Sequence, residues 1–352
     1  MFDSAPAKYG GDNLMAPWIA LRDHFAARGI PVHTADLLPR YDDGVRKLYF
    51  AVSTLQRYRE LARRPDVLLS TYIAMECPVV EPGPYRELPR ARPYFRRVLT
   101  WSDPESLLPF TGQRVDCERF MWPQSFDRVH EDIWRNRDRR FLVMINANKL
   151  PRLYWQELYT ARLRAVEFFQ RYDEIDLYGP NWDRMPNRVG RSWLPPTFWR
   201  AYRVFWEFRQ RHWPDPLYLA ASRAHKGRAE SKSETLGRYT FALCFENMVL
   251  KGWMTEKIFD CFFAGTVPVY WGAPDVLDWV PRECFIDMRD FRDFAQLREH
   301  LHGLAPAAIE RYREAAREYL RSTRFDPFRI GTWVERLRRY VELDAGLDDS
   351  RR

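Results

Sequence analysis

Glu246, Asn247, Thr255, Glu256 and Lys257 place two carboxylates, an amide, a hydroxyl and an ammonium in one short segment. Apolar runs flank that segment, one ending at Phe245 and the next beginning at Val267. A lysine in the first turn of a helix costs the helix about 0.3–1 kcal/mol, because that end already carries partial positive charge. An anionic ligand would explain it, since free helix N–H groups and a full positive charge both suit a phosphate. Glu256 beside it is a poor phosphate ligand, but a carboxylate accepts well from sugar hydroxyls such as the ribose pair of a nucleotide. The spacing points to a nucleotide site. The plain alternative is a capped surface helix with an exposed Glu-Lys pair.

These residues need two strands and a helix to hold them. Phe241 to Phe245 suits a buried strand that stops at the polar pair Glu246 and Asn247. Thr255 is positioned as an N-cap, Ile258, Phe259, Phe262 and Phe263 recur at helical spacing, and Gly265 closes the helix. Val267 to Trp271 reads as the next buried strand, which completes a βαβ unit with its ligand crevice at the carboxyl ends of the strands. Asn247, Trp253, Glu256 and Lys257 all fall at that end.

Elsewhere the chain alternates in the same manner. Asp12 or Asn13 can cap a helix with Met15, Trp18, Ile19 and Phe25 on one face, and strands are expected at Ile30–Thr34, Leu48–Val52 and Val67–Met75. Glu76 follows the last of these and precedes Cys77-Pro78, so a carboxylate stands just past a buried strand where the proline turns the chain. An ordinary loop glutamate would look the same. The charge-rich stretch Gln124–Arg140 reads as an interdomain linker, with a strand from Phe141 to Ala147 and a helix from about Leu153 to Tyr172 beyond it. On that helix Arg162 lies beside the apolar face and Arg164 about 200° away, which favours Arg162 as the buried cation and leaves Arg164 as the other candidate. A buried arginine needs an anionic partner, either a ligand or an internal salt bridge.

At 352 residues the chain is long enough for two domains. The expected division is residues 1–135 as an N-terminal acceptor-binding α/β domain, 136–330 as a C-terminal donor-binding α/β domain, and 331–352 as a C-terminal helix and tail. The net charge of +8 favours an acidic partner, which could be a nucleotide diphosphate, an anionic membrane or a nucleic acid. The five cysteines are widely spaced without a C-x-x-C pair and read as reduced core residues of a cytosolic protein. No D-x-D occurs and the seven histidines show no ligand spacing, so neither a metal site nor a cofactor is expected. Phe198, Trp199, Tyr202, Phe205, Trp206 and Trp213 form an aromatic stripe flanked by arginines, within a basic stretch running from Trp182 to Ser231. Such a stripe packs on its own protein or lies on an anionic membrane.

The blocks CFEN, TEKIFD, AGTVPVYWGAP and FIDMRDF together resemble the donor-binding signature of the α-1,3/1,4-fucosyltransferases, glycosyltransferase family 10. The likeness is dense from Lys232 to Phe291. Met248 stands where the family usually has serine, and Trp253 where it usually has tyrosine. The resemblance implies a GT-B-like α/β fold of two Rossmann-like domains facing each other across a cleft. It implies an inverting, metal-independent transfer of fucose from GDP-fucose to an oligosaccharide acceptor. The expected product is an α-1,3 linkage to N-acetylglucosamine or glucose of a surface polysaccharide or lipopolysaccharide.

The tripeptide Glu76-Cys77-Pro78 resembles the family's E-S-P, whose glutamate is the catalytic base. Arg162, Asn247, Trp253, Glu256 and Lys257 become donor-binding residues, with Arg164, Glu246 and Thr255 as further donor-binding candidates. The likeness is to the soluble bacterial members. A cytoplasmic enzyme of protein glycosylation or polysaccharide biosynthesis is therefore expected, with peripheral contact to the inner face of the plasma membrane through Phe198, Trp199, Tyr202, Phe205 and Trp206. Transfer from another nucleotide sugar is the main alternative. A basic nucleic-acid-binding protein is a weaker one, because it leaves the Glu256-Lys257 pair unexplained, and nucleic acid is not an expected partner.

Overall fold

The structure is a computed structural model that describes residues 13, 15–40, 44–152, 155–189 and 195–346. The Asp12 cap and the charged C-terminal tail lie outside the described residues. The chain forms two compact units. The first takes in residues up to 78, 82–127 and those from 325 onward, and the second 79–81 and 128–324.

In chain order the first unit contributes α1 (Ala16–Ala26), β1 (Lys47–Val52), α2 (Tyr58–Leu61), β2 (Val67–Ile73), α3 (Pro82–Ala91), β3 (Arg97–Thr100), α4 (Pro104–Thr111) and β4 (Glu118–Arg119). Its sheet runs β1-β2-β3-β4 with every pair parallel. Leu69, Tyr72, Ile73, Val98 and Leu99 are buried, as expected of parallel strands that carry helices on their faces. The expected strand at Ile30–Thr34 does not form. That segment is unpaired coil, and Pro31 has no N–H to give a ladder.

The second unit holds α5 (Glu131–Trp134), β5 (Arg140–Ile145), β6 (Lys149–Pro151), α6 (Tyr159–Gln170), β7 (Ile175–Tyr178), β8 (Asn187–Val189), α7 (Pro196–His212) and α8 (Pro216–Ala224). It continues with α9 (Lys232–Leu236), β9 (Tyr239–Phe245), α10 (Glu256–Ala264), β10 (Val267–Trp271), β11 (Ile286–Asp287), α11 (Phe294–Gly303) and α12 (Pro306–Arg321). Its main sheet is parallel, in the order β11-β10-β9-β5-β7, and β6 pairs with β8 separately. The chain adds β7 on one side of β5 and then returns to add β9, β10 and β11 on the other. The topological switch point is thus between β5 and β9, and ligands of open α/β sheets bind at the carboxyl ends of the strands there.

α10 is apolar nearly all round. Ile258, Phe259, Cys261, Phe262, Phe263 and Ala264 are buried, and the helix packs on β9, β10 and α12. Each phenylalanine removed from water contributes about 1.5–3 kcal/mol, so α10 is fixed by its core face rather than by helix propensity. Gly265 at φ +68° ends it in the left-handed conformation that suits glycine.

Two expected boundaries move. The first unit ends at 127 rather than 135, because α5 packs against α10, with Trp134 beneath the guanidinium groups of Arg313 and Arg317 at 4.6 and 4.2 Å. The C-terminal helix α13 (Ile330–Ala345) is not a separate segment and packs on α1, β1 and β2 of the first unit. Trp333 meets Trp122 and Phe120 at 5.4 and 5.7 Å, and Arg97 binds Asp344 through two hydrogen bonds of 2.8 and 3.0 Å. The long helix α6 starts at Tyr159 rather than about Leu153, since Glu157 is taken up in an isolated bridge to Met248 and the Leu158 N–H donates to the Asn247 carbonyl.

Candidate functional site

β9 delivers Glu246 to the carboxyl end of the second sheet, where its N–H donates to the Trp271 carbonyl at 2.7 Å. The carboxylate is fully buried and is the hub of the site. It accepts from the Thr255 N–H at 2.8 Å, from the Thr255 hydroxyl, and from the Lys257 ammonium at 3.0 Å. Lys257 Nζ also donates to Thr255 Oγ1 at 2.7 Å. Thr255 occupies the N-cap position of α10, but its hydroxyl is turned to Glu246 and does not cap the helix. One carboxylate therefore ties the end of β9 to the start of α10 across the intervening loop.

Glu256 stands next to this pair with its side chain 38% exposed. Burial works against its charge, yet the ammonium groups of Lys257 and Lys232 outweigh it and hold the carboxyl well below the usual carboxylate range. Burial also disfavours the Lys257 ammonium, but Glu246 and Glu256 dominate and the group lies above the ordinary lysine value. Arg162 from α6 closes the set from the side of the switch point. It is buried, stacks over Tyr159 at 4.7 Å, donates through Nε to the Phe245 carbonyl at 3.1 Å and through Nη2 to Asn247 Oδ1 at 3.1 Å. Arg164 is exposed, as the helical periodicity implied. Trp253 is buried, with its carbonyl accepting from the Tyr270 hydroxyl at 3.5 Å.

Two members of the cluster had no reading in the sequence. Lys232 on α9 lies 3.5 Å from Glu256 and 3.2 Å from Asp260, and those carboxylates outweigh burial and raise its pKa. The spacing of Glu256 and Asp260 on one helix face was visible, but nothing local joined them to a lysine on a separate element. Glu246, Glu256 and Asp260 thus face Lys232 and Lys257, while Arg162 is held by the Phe245 carbonyl and Asn247. Among the described residues no group of three or more His, Cys, Asp or Glu side chains is placed to hold a metal ion.

Gly272, just past β10, is part of this construction. A Cβ there would lie 2.4 Å from Glu246 Cγ and 2.5 Å from the Tyr270 hydroxyl. Gly272→Ala is expected to destabilise the protein by about 1–3 kcal/mol through overpacking, read as a lower denaturant midpoint. An unchanged midpoint would show that Glu246 can move aside.

Glu76 belongs to the first unit, three residues beyond β2 at the carboxyl edge of that sheet. It is half-buried, and its backbone carbonyl accepts from the Tyr85 hydroxyl at 2.7 Å. The placement after a buried parallel strand is the one the sequence pattern predicted.

The family model for the C-terminal domain of glycosyltransferase family 10 (fucosyltransferase) matches residues 211–322. An α-(1,3)-fucosyltransferase of Helicobacter pylori is 39% identical over 75 residues, which cover 21% of this chain and 16% of that protein. A GDP-fucose protein O-fucosyltransferase 3 of Xenopus laevis is 52% identical over 46 residues, covering 13% and 10%. The chain spans less than a fifth of the length of these two relatives. A solved glycosyltransferase from Rickettsia africae superposes with a TM-score of 0.52 at 10% identity, over 97% of this chain and 96% of that one. Anabaena HepE, solved in complex with UDP-glucose, gives a TM-score of 0.53 at 13% identity over 97% and 98%. At these identities the likeness shows the fold, that of the GT-B glycosyltransferases.

Proposed function

We propose that the chain is a member of glycosyltransferase family 10, whose model matches residues 211–322, and that it transfers fucose from GDP-fucose to a hydroxyl of a glycan acceptor with inversion. The observation that carries the proposal is the Glu246–Thr255–Lys257 cluster at the switch-point end of β9, built from the residues that match the family's donor signature.

In this reading Lys257 and Arg162 stabilise the charge that develops on the departing diphosphate, aided by the amino end of α10. Glu256, held ionised, accepts from the ribose hydroxyls. Asn247 and Trp253 shape the sugar pocket. Glu76 accepts the acceptor's proton as the new O–C bond forms, and the bond to the diphosphate breaks on the opposite face of the sugar. The cations do the work that a bound metal does in other transferases, so neither metal nor cofactor enters the proposal. The acceptor is an N-acetylglucosamine or glucose unit of a surface glycan, linked α-1,3. No helix among the described residues is long and apolar enough to cross a membrane, so contact with the inner face of a plasma membrane would be peripheral. A different nucleotide sugar is the second reading, favoured by the shared fold of the HepE complex with UDP-glucose.

Thermal shift separates the two. GDP at 100 times its Kd should stabilise the protein by about 2.7 kcal/mol, with UDP at the same concentration giving little. Stabilisation by UDP alone would select the second reading, and no shift with any nucleotide would end both. In Lys257→Ala, judged against the variant's own unliganded midpoint, the shift from GDP should fall far more than that from guanosine. Equal losses would remove Lys257 from the phosphate.

A further inference from the structure

α7 has an apolar surface wider than the protein covers. At 100° per residue, Val204, Phe208, Ala201, Phe205 and Phe198 occupy an arc of about 120° that also holds His212, and Tyr202 and Trp206 lie beyond Arg209 on the next face. Tyr202 and Trp206 are the packed side, with the Trp206 ring 5.6 Å from that of Tyr218 on α8. Phe198, Val204, Phe205 and Phe208 point outward and are between 44% and 61% exposed, and Trp213 at the end of the helix is 68% exposed. The side chain of Trp199, which the sequence pattern put in the same stripe, lies outside the described residues.

Arginines border the exposed arc. Arg200 and Arg211 follow Val204 at one edge and Arg209 follows Phe198 at the other, with Arg203 next to the packed face and Glu207 the one acid of the helix. All four arginines are exposed. We infer that this outer face of α7 is a docking surface for an anionic lipid bilayer, lying in the plane of the interface with its phenylalanines among the acyl chains. Charge decides the occupant. A second copy of the chain would set arginine edges against arginine edges, whereas acidic headgroups pair with both edges while the rings enter the apolar layer.

The test is sedimentation of the full chain with vesicles of phosphatidylcholine alone and of phosphatidylcholine mixed with phosphatidylglycerol. Each arginine at an anionic surface is worth roughly fivefold in partitioning, so the mixed vesicles should be preferred at least tenfold, less so in high salt. Phe205→Ser with Phe208→Ser keeps every charge and is expected to lower binding to the mixed vesicles roughly tenfold or more, with the melting midpoint unchanged. Arg200→Gln with Arg211→Gln should chiefly reduce the preference for the anionic vesicles. If the phenylalanine pair can be replaced without loss of binding, net charge alone drives it and the surface is not α7. If the wild type ignores both vesicle types and the phenylalanine variant turns a dimer into a monomer in light scattering, a second copy covers this face and the inference fails.

Discussion

Glu76→Gln should lower the rate of transfer by roughly 10²–10⁴-fold while GDP affinity stays within about twofold. The substitution keeps size and shape but removes the carboxylate proposed to take the proton. The hydrogen bond from the Tyr85 hydroxyl goes to the backbone carbonyl of residue 76 and does not depend on the carboxylate. The pair of measurements is steady-state GDP release with acceptor present and GDP binding by calorimetry. Transfer within tenfold of the wild type would take Glu76 out of the mechanism. A parallel loss of GDP affinity would instead show that the residue supports the donor.

The second large effect is on stability. Glu246→Gln leaves the Lys257 ammonium, whose side chain is only 17% exposed, without the buried carboxylate that faces it. Breaking one side of a buried ion pair costs about 3–5 kcal/mol, and for a unit of this size each kcal/mol moves the melting midpoint by about 2–4 °C. A fall on the order of 10 °C is expected. Removing both charges, as Glu246→Leu with Lys257→Met, should restore much of it, since no uncompensated charge is then buried. A midpoint within a degree or two in the single variant would mean that water or Thr255 replaces the lost partner.

Much of the candidate site in the second unit could be read from residues alone because its parts are close in the chain. The strand ending at Phe245, the helix opening after Thr255 and closing at Gly265, and the strand from Val267 all follow from apolar runs and local caps, and each formed as expected. The facial argument that preferred Arg162 to Arg164 needed only helical periodicity, and one is buried while the other is exposed. Where the signal was weaker than the tertiary context it failed. Ile30–Thr34 has strand-like alternation but no neighbour to pair with, and α13 looked detachable only because its partners Trp122 and Arg97 are more than 200 residues away.

The sequence by itself determined the βαβ unit around Glu246 to Trp271, the identity of the polar groups it carries and, through them, a likeness to glycosyltransferase family 10. Those are local properties, set by side-chain periodicity and residue type. Only the tertiary structure decided how the groups are paired. It turned Thr255 from a helix cap into a ligand of Glu246, made Glu246 the buried hub, brought Lys232 to Glu256 from another helix, and put the switch point between β5 and β9. A pattern in one segment cannot encode these pairings, because each ion pair is fixed by the packing of elements that meet only when the sheet is assembled.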